Sequence, residues 1–176
     1  MILVINTSGN GIELVLEDKY KKIDAVKQAV ALPSAVTDFL KENNIKMSDL
    51  TAVGVVVGPG SFTGIRMGIA YAKGLGIALN IPVIGVNLFE LYLYENPEAF
   101  VAIDSGRGDF FVASKLHEPG TMNIDEVETE QMKCPSTVGH KPYNIMFAKN
   151  IVENKIKNND LQPVIPMYLR PSYAEK

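Results

Sequence analysis

Two uninterrupted apolar runs, ILVIN at 2–6 and TAVGVVV at 51–57, stand out from the more mixed sequence around them. A run with no polar beat suits a strand covered on both faces, as central parallel strands are. The segment IELVLE at 12–17 sets Ile12, Leu14 and Leu16 against Glu13, Val15 and Glu17. That alternation predicts a hairpin partner with one wetter face. The cluster Thr7-Ser8-Gly9-Asn10-Gly11 is the turn between it and the first run. Residues 18–20 turn again and 21–27 make a third strand. Pro33-Ser34 then opens a helix to about Asn44, with Val36, Phe39 and Leu40 facing inward. Proline is tolerated at such an early position because the N–H it lacks has no helical partner there.

The second run breaks at Gly58-Pro59-Gly60 and passes into SFTGIRMGIAYAKGLGIALN at 61–80. Small residues recur at Gly60, Gly64, Gly68, Ala72 and Gly76, every fourth position, which stacks them into one ridge along a helix. Each mid-helix glycine costs roughly 0.5–1 kcal/mol relative to alanine. The physical return available is close approach, since a ridge without side chains lets another backbone pack directly against it. The ridge is therefore expected to be a docking surface.

IPVIGV at 81–86 reads as a further strand, and Asn87 caps a short helix to about Tyr94. AFVAIDS at 99–105 and DFFVASKL at 109–116 flank the hairpin turn Gly106-Arg107-Gly108. After His117 the pattern dissolves into polar, Gly/Pro-punctuated sequence, with a weak helix at 143–154 and a tail, VIPMYLRPSYAEK, holding two prolines. The order β-β-β-α-β-α-β-α-β-β predicts an α/β fold of the ribonuclease-H-like kind, a mixed sheet with helices on its faces.

Composition narrows the functional classes. The 176 residues suit one domain with at most a short appendage, and 47% hydrophobic against 21% charged content is that of a folded globular protein. A net charge of −3 and a pI near 5.4 argue against a protein that grips nucleic acid by itself. The run Lys19, Lys21, Lys22 reads as a solvated turn rather than a binding patch. A single cysteine, Cys134, excludes an internal disulfide and fits a reducing compartment. No targeting signal and no apolar stretch near twenty residues is visible, so the expected location is the cytoplasm, away from membranes.

The chemistry-bearing motifs are incomplete. After Gly58-x-Gly60 the dinucleotide fingerprint needs glycine at position 63, which holds Thr63. A Walker A loop needs Gly-Lys-Ser/Thr where this chain has Gly64-Ile65-Arg66. A tight turn in which Ser61 or Thr63 caps the helix is the preferred reading. Arg66 opposes the helix dipole slightly, which suggests a pairing, for instance with a carboxylate on a partner. Asn6-Thr7-Ser8-Gly9 and Asp104-Ser105-Gly106 look like the paired phosphate turns of actin-like ATPases. Asn6, however, brings no charge to Mg²⁺, whose sites use carboxylates. The two histidines, His117 and His140, lack any zinc spacing, Cys134 has no histidine near it in sequence, and no G-x-S-x-G elbow exists.

GPGSFTGIRMGIAYAKGLGIALNIPVIGV at 58–86 resembles the signature segment of the TsaB (YeaZ) family. ILVINTS resembles the family's first strand, with Asn6 where Asp is usual, and AIDSGRGDFFVA at 102–113 resembles a later segment, with Asp104, Arg107 and Phe111 in place. PMYLRP at 166–171 resembles its C-terminal tail. The resemblance is good to about residue 116 and poor from there to 165. It implies an actin-like ATPase fold that has lost its active site, with an N-terminal subdomain at 1–98 and a reduced C-terminal one at 99–176. The implied role is the non-catalytic subunit of the complex that forms threonylcarbamoyladenosine on transfer RNA. The catalytic paralogue TsaD is the implied partner, an ATPase of the TsaE type joins the complex, and transfer RNA is met only through it. A homodimer is an alternative assembly. The resemblance assigns no catalytic, cofactor-binding or metal-binding residue to this chain. It puts partner contact on Ser61, Phe62, Thr63, Gly64, Arg66, Gly68, Ala72 and Gly76, with the 33–44 helix in the same bundle. The rival expectation is an autonomous actin-like ATPase or phosphotransferase, or a peptidase-like enzyme. A further alternative is a ridge that packs on this chain's own sheet, in which case substitutions there unfold the protein.

Overall fold

The computed structural model describes residues 1–24, 27–134, 137–139 and 143–170. Two compact units share the chain: Met1–Asn87 with Ile145–Pro166, and the described residues of Leu88–Asn144 and Met167–Lys176.

The first unit is built on a five-stranded sheet of order β3-β2-β1-β4-β5. Its strands are β1 (Ile2–Asn6), β2 (Ile12–Leu16), β3 (Lys19–Ile23), β4 (Ala52–Val56) and β5 (Val83–Val86). The apolar runs take the centre, as their dense apolar content requires: β1 and β4 are buried along their whole length and pair in parallel. β2 follows the predicted hairpin, antiparallel to β1 with Val4 opposite Val15. Val15 is buried beside Leu14 and Leu16, so this strand is drier than its alternation suggests. β3 starts earlier than the 21–27 expected from the sequence, and Ala25 and Val26 lie outside the described residues. It is the outer strand, and its lysines are paired: Lys19 with Asp18 at 2.9 Å, Lys21 with Glu42 at 2.6 Å and Lys22 with Asp24 at 3.0 Å. Charged side chains on an edge strand discourage pairing with another chain.

The helices of this unit are α1 (Gln28–Glu42), α2 (Phe62–Leu79) and α5 (Phe147–Lys157). α1 begins more than a turn before Pro33, which sits inside it on the exposed side. α2 starts at its cap Ser61 and ends at Asn80, which takes the left-handed conformation that stops helices. A side chain at Gly54 would meet Val152 of α5, whereas the next residue, Val55, faces Gly68 of α2. Successive strand residues point to opposite faces, so α2 and α5 cover the two sides of the sheet.

The second unit has a four-stranded sheet of order β8-β7-β6-β9, formed by β6 (Phe100–Asp104), β7 (Phe110–Ala113), β8 (Gly120–Met122) and β9 (Thr137–Val138). Its helices are α3 (Leu88–Leu93) and α4 (Ile124–Lys133). Phe100 and Ala102 pack with Val112 and Val127 on one side, and Val101 packs with Phe89 and Ala113 on the other. β8, α4 and β9 occupy the stretch where the sequence pattern dissolves. Asn123 and Glu126 close a capping box at the start of α4, with Glu126 N–H donating to Asn123 Oδ1 at 3.0 Å.

Candidate functional site

β1 and β4 are parallel neighbours, so their carboxyl ends open side by side, the place where open α/β sheets receive ligands. Here the two turns that follow them close on each other. Ser61 N–H donates to Ser8 O at 2.7 Å, and a side chain at Gly60 would overlap that same carbonyl oxygen. Thr7 Oγ1 donates to Gly64 O at 2.6 Å. Ser61 Oγ accepts from Gly64 N–H at 3.2 Å, the cap expected from the sequence. Gln28 Nε2 donates to Thr7 O at 3.2 Å, to Gly9 O at 3.0 Å and to Gly11 O.

Asn6 is buried at the end of β1, and its amide is engaged inside this network. Its Oδ1 accepts from Ser8 N–H at 2.9 Å and from Ser8 Oγ at 2.7 Å, while Nδ2 donates to Glu13 Oε2 at 2.7 Å. Glu13 Oε1 accepts from the Tyr20 hydroxyl at 2.9 Å. Burial, together with that neighbouring carboxylate, pushes the Tyr20 phenol up to about 12. Asn6 thus acts as a bridge between its own turn and β2, a role that needs both a donor and an acceptor.

The glycine ridge is filled from within the chain. Gly64, Gly68, Ala72 and Gly76 all lie on the buried side of α2. A side chain added at Gly64 would overlap Thr7 O, at Gly68 it would overlap Thr7 Oγ1, and at Gly76 it would overlap Val83 Cγ2. The close approach that the small residues permit is the approach of β1 and β5 to α2. Of the eight residues singled out from the sequence, Ser61, Phe62, Thr63 and Arg66 are exposed, and the four ridge residues are not.

The opposite stripe of α2 faces solvent. Phe62 is 43% and Ile77 84% exposed, with Arg66, Ala70, Lys73 and Gly74 exposed between them. The Arg66 guanidinium stacks 3.7 Å from the centroid of the Phe62 ring, one turn back on the same helix. A side chain at Gly74 would meet nothing within 4 Å. Gly74 is therefore a mid-helix glycine that close packing inside the chain does not require. The sequence held this second stripe at the same spacing, but its mixture of small, apolar and basic residues gave no reason to rank it above the ridge. Gln28 and Thr7 carried no motif at all, because their role depends on a turn far from either helix in sequence.

In the second unit the Asp104–Asp109 turn is tied internally. Asp104 Oδ1 accepts from Gly106 N–H at 2.7 Å, Ser105 Oγ donates to Asp109, and Arg170 pairs with Asp109 and donates to Ser105 Oγ at 2.8 Å. His117 Nε2 lies 3.0 Å from Glu130 Oε2. Lys133 first, and His117 after it, hold the Glu130 carboxyl below the usual carboxylate range. His140 and Pro171, the last residue of the tail motif, lie outside the described residues. Among the described residues, no three His, Cys, Asp or Glu side chains gather in a group that could hold a metal ion. No described helix is long and apolar enough to cross a membrane.

A family model described as "TsaD: tRNA N6-adenosine threonylcarbamoyltransferase" matches residues 23–169. Relatives named tRNA N6-adenosine threonylcarbamoyltransferase include one from Clostridium novyi (strain NT), 39% identical over 70 residues, covering 40% of this chain and 20% of the relative. Another, from Ruegeria sp. (strain TM1040), is 41% identical over 66 residues, covering 38% and 18%. The chain covers about a fifth of the length of the curated relatives it matches. Among solved structures, a Pseudomonas aeruginosa protein described as similar to peptidase YEAZ superposes with a TM-score of 0.73 at 18% identity, over 96% of this chain and 99% of that one. YeaZ from the same organism superposes at 0.71, with equal identity and coverage. The fold is therefore the YeaZ-type, actin-like α/β fold that the sequence predicted.

Proposed function

Because the chain belongs to the family of TsaD, tRNA N6-adenosine threonylcarbamoyltransferase, we propose that it is a non-catalytic subunit in the formation of threonylcarbamoyladenosine on transfer RNA. In this reading it docks on a catalytic member of the same family and supports it. The observation that carries the reading is the solvent face of α2. Phe62 and Ile77 are exposed along one stripe with Ala70 and the unobstructed Gly74 between them. A glycine there costs about 0.5–1 kcal/mol of helix stability, a cost that a closely packed second chain accounts for. Ser61, Phe62, Thr63 and Arg66 belong to the proposed contact, and Ala70, Gly74 and Ile77 join them. The ridge of Gly64, Gly68, Ala72 and Gly76 contributes indirectly, by setting how closely α2 lies on its sheet.

A non-catalytic role also agrees with Asn6, whose amide binds Ser8 and Glu13 where an actin-like ATPase uses a carboxylate. The further expectations follow from membership of such a complex: an ATPase of the TsaE type as a third component, transfer RNA met only in the assembly, and a cytoplasmic setting.

The test is calorimetric titration of this chain with a full-length catalytic family member from the same cell. Ile77→Asp, at an 84% exposed position, is expected to weaken binding by at least about tenfold, the effect of one charge placed in an apolar contact. Its urea midpoint should match wild type. Equal binding by wild type and Ile77→Asp, or no binding by either, overturns the docking face. Tight binding of Mg-ATP by this chain alone overturns the non-catalytic role in favour of an autonomous ATPase.

A further inference from the structure

Gln28, the first residue of α1, meets the β1–β2 turn in an unusual way. Its Nε2 faces three backbone carbonyl oxygens, those of Thr7, Gly9 and Gly11. A side-chain amide nitrogen carries two hydrogens, so three acceptors share two donors. The other end of the same amide is equally confined, since Gln28 Oε1 lies 3.0 Å from where a side chain would begin on Gly64 of α2. The turn is bound to α2 as well, through Thr7 Oγ1 to Gly64 O and Ser61 N–H to Ser8 O. One side chain therefore ties the start of α1 to the turn after β1, and that same turn is bonded to the start of α2 through Thr7 and Ser8. Lys27, which precedes α1, makes no side-chain cap bond.

We propose that Gln28 is a positioning residue for the docking face of α2: its amide ties the first turn of α1 to the Thr7–Gly11 turn and so sets the register of α1 against α2. This role rests on the docking reading above. Its chemistry is specific, because the three carbonyls accept hydrogen bonds and offer none. Glutamate has the shape of glutamine but turns a carboxylate oxygen toward them. Lysine brings an ammonium with three donors, a match for three acceptors.

The experiment compares wild type, Gln28→Glu, Gln28→Lys and Ile77→Asp by amide hydrogen exchange and by titration with the full-length catalytic family member. Gln28→Glu is expected to speed exchange at Ser8 and Ser61, whose N–H groups donate to Asn6 Oδ1 and Ser8 O, by about tenfold or more, with β1 and β4 unchanged, since losing the tie opens the turn locally. Binding should weaken by a similar factor. Gln28→Lys should stay within about threefold of wild type in both readouts, which a space-filling role does not predict for the less similar side chain. Wild-type exchange in Gln28→Glu overturns the tie, and faster exchange with unchanged binding overturns the positioning role. If Ile77→Asp loses binding while Gln28→Glu keeps it, only the role of Gln28 falls. If Ile77→Asp binds as wild type does, the docking reading falls and this role falls with it.

Discussion

Gly64 and Gly74 lie on the same helix, and the same substitution at the two positions is predicted to act with opposite sign. Alanine gains up to about 1 kcal/mol over glycine in a helix interior, through lower unfolded-state entropy and better backbone shielding. At Gly74 nothing lies within 4 Å of the added methyl, so Gly74→Ala should stabilise the protein by about 0.5–1 kcal/mol. At Gly64 the methyl overlaps Thr7 O and stands 3.2 Å from the Thr7 carbonyl carbon. Thr7 cannot easily retreat, since its hydroxyl donates to Gly64 O at 2.6 Å and its carbonyl accepts from Gln28. Overpacking costs about 1–3 kcal/mol, and straining a buried hydrogen bond adds about 1 kcal/mol, which together outweigh the helix gain. Gly64→Ala should therefore destabilise by about 1–3 kcal/mol. The two variants are then separated by about 1.5–4 kcal/mol, or about 0.8–2 M in urea midpoint for an m-value of about 2 kcal/mol/M. Urea unfolding followed by circular dichroism reads this directly. A Gly64→Ala midpoint equal to or above wild type, at unchanged m-value, would refute the inward-facing ridge.

Two further outcomes test the packing and electrostatics of the first unit. Glu17 accepts from Ile2 N–H at 3.0 Å and pairs with Lys149 at 3.1 Å. Burial raises its pKa, but the Ile2 N–H and the Lys149 ammonium outweigh that and hold it below the ordinary value of 4.5. A depressed carboxylate stabilises the native state fully above the unfolded value and loses that contribution as pH falls through the folded one. Glu17→Gln should thus be less stable than wild type at pH 7, and the gap in urea midpoint should shrink as pH drops below about 4.5; a gap that persists or widens there counts against the assignment. Gly54→Ala places a methyl 2.7 Å from Val152 Cγ2, so it should destabilise by about 1–3 kcal/mol. Adding Val152→Ala makes room for that methyl, and a double-mutant cycle should show a favourable coupling of about 0.5–3 kcal/mol. Strict additivity would mean that α5 does not press on β4 as described.

The chain up to about His117 was legible because each signal there is local. ILVI at 2–5 and AVGVVV at 52–57 have no polar side chain to place in water, so they fall at the centre of a sheet wherever the rest goes. Gly106-Arg107-Gly108 specifies its turn through backbone conformation alone, and Gly106 and Gly108 both have positive φ. Less was legible after His117. α4 buries only Val127 among its own residues, so its apolar stripe is too thin to show, although Asn123 and Glu126 mark its start. The start of α1 was also obscured, because Pro33 reads as a first-turn residue until a contact such as that of Gln28 extends the helix backward.

By itself, the sequence determined that a strand ends before Gly58, that a glycine-laced helix follows, and that something packs very closely on it. It could not decide what does. α2 carries two stripes at the same spacing, and periodicity ranks neither as the inner one. The tertiary structure decided it by bringing Thr7, just after β1, and Val83 from β5 against Gly64, Gly68 and Gly76. Those partners are distant in sequence, and a close approach is a property of both surfaces. That choice turned Phe62, Arg66, Gly74 and Ile77 outward, and with them the proposed docking face.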